Sequence, residues 1–225
     1  MKVGKSKELQ TLLAEITGAL IQLSTTRTAE VRAIRREFSK RLAKNDARQV
    51  VDLALDLLKQ PRFLFRFVAY ELVCYHKPAM QSLIAKDLEQ LGQGIDSWEA
   101  VDTFACYLSG PAWREKQVPD RVIHRWARSK DRWWRRAALV STVPLNKKAR
   151  GGSGDAERTL AVCRLLVEDR DDMVVKALSW ALRDLARPDP KAVGAFLKEY
   201  EGRLAGRVVR EVGNKLKTGL RNPRR

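Results

Sequence analysis

The sequence predicts an all-helical chain, and three observations lead there. Apolar residues recur at three- and four-residue spacings in nearly every segment. No alternating strand pattern and no Asn-Gly or Asp-Gly hairpin signal interrupts them. The breaks between apolar runs are short and rich in Pro, Gly and Asp.

Along the chain, the pattern predicts helices over 6–23, 28–43 and 46–59. In the second of these, Val31, Ile34, Phe38 and Leu42 form the apolar stripe, with Arg32, Arg35, Arg36 and Lys40 between them. In the third, Val50, Leu53, Leu57 and Leu58 do so. Gln60-Pro61 opens a helix over 62–76, and Lys77-Pro78 one over 79–91. Gly92-Gln93-Gly94 separates that from 97–109, and Val118-Pro119-Asp120 starts 119–128. A helix over 131–146 ends before Arg150-Gly151-Gly152-Ser153-Gly154, which reads as the most flexible stretch, an inter-helix loop and not a domain linker. Helices over 155–169 and 172–187 follow, the latter on Leu178, Leu182 and Leu185. Arg187-Pro188-Asp189-Pro190 begins 190–200, and Leu204, Val208, Val212, Leu216 and Leu220 mark 203–219, with 219–225 a frayed tail.

Short connections imply antiparallel helix pairs, and pairs of about 40 residues match the HEAT-like period. The predicted architecture is a HEAT-like helical-repeat solenoid with a concave basic face, residues 1–225 forming one domain. Identity between the pairs is weak, so the repeat rests on helix spacing, and a compact helical bundle is the other arrangement the pattern allows.

Composition bounds the function. With 44% hydrophobic residues the chain folds, and the disordered class is excluded. A formal charge of +17 points to a polyanionic partner, of which nucleic acid is the commonest; membrane surfaces and acidic proteins share that chemistry. No apolar run is long enough to cross a bilayer, and no apolar core follows the charged Met1-Lys2-Val3-Gly4-Lys5, so a soluble, cytoplasmic protein is expected. Cys74, Cys106 and Cys163 form no CxxC pair and read as three buried thiols; His76 and His124 are too few and too separated for a metal site. With no phosphate-binding loop, no GxGxxG, no GxSxG and no iron–sulfur spacing, no cofactor or metal is expected, and any catalysis falls to carboxylates, indoles and arginines.

Four clusters could carry chemistry. In Ser97-Trp98-Glu99-Ala100-Val101-Asp102, Ser97 can cap a helix, and Trp98 and Asp102, four apart, share a face. An indole beside a carboxylate suits a cation, although such a pair by itself is more often packing with a surface acid. In Asp131-Arg132-Trp133-Trp134-Arg135-Arg136, basic residues interleave with indoles as in phosphate-contacting helices; one indole in the core with the arginines in water is the plainer account. In Lys176-Ala177-Leu178-Ser179-Trp180-Ala181-Leu182-Arg183-Asp184, the leucines face the core while Trp180 and Arg183 sit on another face, for a partner or for packing between repeats. From Arg203 to Arg225, eight Lys or Arg stand against the single acid Glu211, forming either a solvated helix face or a phosphate-facing edge.

At these clusters the sequence resembles the AlkD-type DNA alkylation repair glycosylases, a HEAT-like repeat family, most strongly from Ser97 to Leu220. Ser97 to Asp102 resembles the family's tryptophan–aspartate helix, and Trp133 to Leu139 its DNA-contacting helix, with Arg136 at the phosphate-binding arginine. Lys176 to Arg183 places Trp180 at its second active-site tryptophan, and Glu211 to Leu220 is similar to many members' C-terminal ends. The chain departs from the family at Ser24–Glu30, where members often carry Gly and Pro, so no site residue is carried over from there. The resemblance implies a monofunctional enzyme, monomeric and cofactor-free, that hydrolyses the N-glycosidic bond of cationic alkylated purines (3-alkyladenine, 7-alkylguanine) in double-stranded DNA. Asp102, Trp98 and Trp180 would be catalytic; Arg136, Arg183, Arg135, Arg132 and Lys176 would bind DNA. Asp102→Asn would then remove most activity and leave folding and DNA affinity nearly intact. A non-catalytic DNA-binding scaffold and, after it, a protein-binding adaptor are the other functions the same features allow. The enzymatic reading requires Trp98, Asp102 and Trp180 to converge in one basic groove, with the acid not sunk into a salt link away from solvent.

Overall fold

The computed structural model describes residues 7–24 and 27–223; Thr25 and Thr26 of the Ser24–Glu30 departure, Ser6 of the first expected helix, and Arg224 and Arg225 of the tail lie outside the described residues. Among the described residues there are helices and no strand, and the chain divides into two compact units, Met1–Gln93 and Gly94–Arg225.

The first unit holds α1 (Lys7–Ile21), α2 (Thr28–Arg41), α3 (Ala47–Leu57), α4 (Phe63–Tyr75), α5 (Lys77–Ser82) and α6 (Ala85–Leu91). Most of the apolar stripes read from the sequence are its core: Val31, Phe38, Leu42, Val50, Leu53 and Leu57 are buried, while Ile34 and Leu58 are half-buried. Helices α2 and α4 lie side by side, and Arg32 and Arg35 of α2 both reach the fully buried Glu71 of α4, at 2.8 and 2.9 Å. The helix predicted over 79–91 is two helices. Leu83 and Ile84 are extended, and the Asp87 carboxylate accepts the Ile84 N–H (3.2 Å) to start the second. Arg48 of α3 holds that carboxylate in place at 2.7 Å.

The second unit holds α7 (Trp98–Phe104), α8 (Gly110–Arg114), α9 (Asp120–Ala127), α10 (Arg132–Val140), α11 (Val143–Asn146), α12 (Ala156–Arg164), α13 (Asp172–Leu185), α14 (Pro190–Glu199) and α15 (Gly206–Thr218). Helices α7, α10, α13 and α15 form a row in which each packs on the next, while α9, α12 and α14 back it. The row's helices begin at 98, 132, 172 and 206, steps of 34, 40 and 34 residues. This is the helical-repeat packing that the spacing predicts. Side-chain bonds between neighbouring repeats span 32 to 34 residues: Arg136 to Asp102, Ser179 to Glu211, Ser109 to Ser141.

Two prolines reshape the predicted helices. The segment over 97–109 does not stop at 109. It widens into a π turn at Ala105–Ser109, where the Gly110 N–H bonds to the Ala105 carbonyl, and runs on as α8. Pro111 has no N–H for the Tyr107 carbonyl and crowds it, which favours the wider turn. In the same way Pro144 leaves the Val140 carbonyl without a helical donor, and the helix predicted over 131–146 breaks at Ser141–Thr142 into α10 and α11. The Arg150–Gly154 loop is closely fitted: Gly152 is buried against the backbone of Pro144 and Leu145, and the Gly154 N–H bonds to the Leu145 carbonyl (3.0 Å). Of the three cysteines, Cys106 and Cys163 are buried, but Cys74 is only half-buried.

Candidate active site

Ser97 caps α7 as its side chain predicts, its Oγ accepting the Ala100 N–H at 3.3 Å. With the helix started there, Trp98 and Asp102 stand one turn apart on one face. On α13 the same periodicity aligns Met173, Lys176, Trp180 and Arg183, while Leu178 and Leu182 are buried on the opposite side. These two faces, with Arg136 from α10, line a single cavity of about 460 Å³. Trp98, Asp102 and Trp180 therefore share one cavity with Arg136, Lys176 and Arg183.

Asp102 does carry a salt link. Arg136 donates from Nε to Oδ1 (2.9 Å) and from Nη2 to Oδ2 (2.8 Å), and its Nη1 donates to the Met173 carbonyl (2.6 Å). The carboxylate is not shut away by this, since its side chain keeps 18% exposure at the cavity wall. Each oxygen accepts one N–H and keeps a lone pair. Burial pushes the Asp102 carboxyl above its ordinary value, with Arg136 opposing and the nearby Glu99 adding to the rise. Arg136 itself is buried, and all three of its nitrogens already donate within the protein. Its first effect is to orient Asp102.

The two indoles differ. Trp98 is 51% exposed, a costly position for so large an apolar side chain without a partner. Trp180 is half-buried, and its ring is fixed because Nε1–H donates to Asp184 at 2.9 Å. Burial pushes the Asp184 carboxyl up, against Lys147 and the indole hydrogen bond. The cations are supported by second partners. Lys176 pairs with Asp172 (2.6 Å), and Arg183 donates to the Ser179 hydroxyl (3.2 Å).

Arg132 and Arg135 do not line this cavity. Arg135 is bound to Asp169 (2.7 Å) and to the carbonyls of Ser129 and Lys130. Arg132 lies over the Trp133 ring and 3.4 Å from Asp171. Trp134 packs on Trp126 and Phe104 but is only half-buried, as Trp133 is, so neither indole of the cluster is a core residue. Met173 and Arg221 line the cavity, and Asp184 anchors the Trp180 ring, although the sequence did not single them out as site residues. Asp184 had a signal, its i+4 spacing from Trp180 on one helix. Arg221 had none beyond the basic tail.

A repeat of stacked helices carrying a cationic cavity, with a carboxylate and two indoles on its wall, defines a helical-repeat protein built for an anionic substrate. Over residues 21–216 the chain matches the family of the DNA alkylation repair enzyme, and it belongs to that family. It is thus an enzyme of DNA alkylation repair, and alkylated DNA is its substrate. No curated protein matches the chain closely. Among the described residues no helix is long and apolar enough to cross a membrane.

Proposed function

We propose that the protein is a monofunctional DNA glycosylase that hydrolyses the N-glycosidic bond of cationic alkylated purines, 3-alkyladenine or 7-alkylguanine, in duplex DNA. The observation that carries this reading is the shared cavity: an aspartate that keeps partial access to solvent, two indoles and a cationic wall. An alkylated purine already bears positive charge, so it takes the electron pair of the C1′–N bond and leaves neutral, with no acid needed to protonate it. Positive charge then develops on the deoxyribose. Asp102 opposes that charge, and Trp98 and Trp180 add cation–π attraction of about 0.5–2 kcal/mol each. Water adds to C1′ and loses its proton, leaving an abasic site; the free lone pairs of Asp102 can orient that water. Lys176 and Arg183 hold backbone phosphates at the cavity, Arg136 holds Asp102 and faces the same strand, and Arg132 and Arg135 meet DNA outside the cavity. The proposal includes a cytoplasmic monomer needing no cofactor, with residues 1–225 as one DNA alkylation repair domain.

The bidentate Asp102–Arg136 pair also favours a second reading, a DNA-binding scaffold in which that pair is structural. Base release from methylated duplex separates them. Wild type should free methylated purine and leave abasic sites; Asp102→Asn should slow release by about 100-fold or more while still binding duplex. Unchanged turnover in Asp102→Asn rejects the assigned role, and binding with no released base across several lesions favours the scaffold.

A further inference from the structure

The segment after α15 doubles back on its helix. Gly219, at φ 74°, ends the helix in the left-handed conformation. The Lys215 ammonium then donates to the Gly219 carbonyl (2.6 Å), and the Asn214 amide to the Arg221 carbonyl (3.1 Å). This returns Arg221 to Glu211, ten residues earlier, with Nη2 donating to Oε1 at 2.7 Å, and its side chain joins the cavity wall.

Glu211 is 3% exposed and has three neighbours competing for it. Ser179 donates to it at 2.6 Å, Arg221 at 2.7 Å, and the Arg183 Nε stands 3.9 Å away. Burial works to raise the Glu211 carboxyl, yet the bonds from Arg221 and Ser179 hold it below its usual value. One carboxylate thus serves two guanidiniums. Among the described residues, the two terminal nitrogens of Arg183 make no hydrogen bond, and Arg221 uses only Nη2. Arg136 is matched by Asp102 and Lys176 by Asp172, while Asp184, which also attracts Arg183, accepts the Trp180 indole N–H; Glu211 is thus the carboxylate within 4 Å of both Arg183 and Arg221. Burial, and then Arg221, push the Arg183 guanidinium below its usual value, which an anion between the two would reverse.

We propose that Arg221 and Arg183 together seat one DNA backbone phosphodiester at the cavity, with Glu211 as the positioning residue that sets the two forks. Forked N–H donors suit phosphate oxygens. The inference rests on the reading of the cavity as the DNA site.

The test is duplex binding across a salt series for wild type, Arg221→Gln and Arg221→Lys. Losing one phosphate contact should flatten the slope of log Kd against log salt by about one in Arg221→Gln, equally on methylated and undamaged duplex. Arg221→Lys should restore the slope but not the full affinity, because an ammonium has no fork. An unaltered slope in Arg221→Gln, whatever its melting temperature, overturns the proposal and leaves Arg221 a clasp for the C-terminal segment. A wild type that binds no duplex overturns it together with the reading beneath it. A wild type that binds duplex and releases base, beside an unaltered Gln slope, overturns this inference alone.

Discussion

The Asp102–Arg136 pair governs how single substitutions in the site should behave. Asparagine at 102 escapes the desolvation that the carboxylate suffers, but it leaves a buried guanidinium without its counter-charge. The sequence alone suggests that Asp102→Asn spares folding. The bidentate geometry predicts instead a loss of about 1 kcal/mol: the amide oxygen still accepts one Arg136 N–H but its NH2 faces the other, whereas the lost charge was not itself stabilising, the carboxyl being raised by burial. A denaturant titration of the variant measures it, and an unchanged midpoint would show that Arg136 needs no partner. The pair also sets a pH dependence. The Asp102 carboxyl lies above its ordinary value, so the charged form is lost at a higher pH than for a free aspartate as acid is added. Base release from an N7-methylguanine substrate, cationic across the acid range, should therefore fall through a midpoint above that of an ordinary aspartate. Arg136 pulls that value down through two hydrogen bonds, so Arg136→Lys, with a single point charge, should move the acid limb of kcat/KM to higher pH. A limb that stays in place or moves downward would dissociate Arg136 from the ionisation of Asp102. Linkage has the opposite sign for stability: Asp102 is bound to its proton more tightly folded than unfolded, so its contribution declines as pH rises through that same window.

At the scale of elements, the approach of α8 to α11 limits what can change near Asp102. A Cβ on Gly110 would stand 2.6 Å from Pro144 Cγ and 2.8 Å from the Ala105 carbonyl oxygen, inside the π turn that follows α7. Gly110→Ala should cost about 1–3 kcal/mol of overpacking. Gly194, inside α14 with nothing within 4 Å of its Cβ position, is the control, and Gly194→Ala should gain about 0.5–1 kcal/mol from helix propensity. Urea midpoints moving in the same direction for both would contradict this account. These elements also mark where sequence reading stops. Helix existence follows from a 3.6-residue period, and Trp98 with Asp102, or Lys176 with Trp180 and Arg183, are legible because each set lies on one helix. The break at Leu83–Ile84 depends on an Asp87 carboxylate held by Arg48, 39 residues earlier, and no local pattern records that contact. The π turn is set by a proline acting backwards on a carbonyl four residues earlier. Asp102 meeting Arg136, and Glu211 meeting Ser179, depend on the step between neighbouring repeats, which weak identity between the repeats conceals.

For the whole molecule, charge matters through its remainder. The chain carries 44 Lys and Arg against 27 Asp and Glu, and acids such as Glu71, Asp87, Asp169 and Glu211 are already paired with arginines. The excess of +17 is therefore not consumed by the fold. If six to ten phosphates are neutralised, affinity for undamaged duplex should fall by about 10³-fold or more between roughly 50 and 200 mM salt. A protein-binding adaptor of the same composition would bind duplex weakly and with a shallow slope, and that result would remove DNA from the account. The excess is carried by lysine and arginine, residue types that keep their charge across the near-neutral range. Binding to undamaged duplex should then stay nearly constant as the medium is acidified from neutral, while base release declines on the Asp102 limb. Measuring both on one protein separates electrostatic capture, which belongs to the whole surface, from bond cleavage, which belongs to one carboxylate. If affinity and turnover instead fell together with a single midpoint, the loss would lie in DNA capture, and the assignment of the pH dependence to Asp102 would not stand.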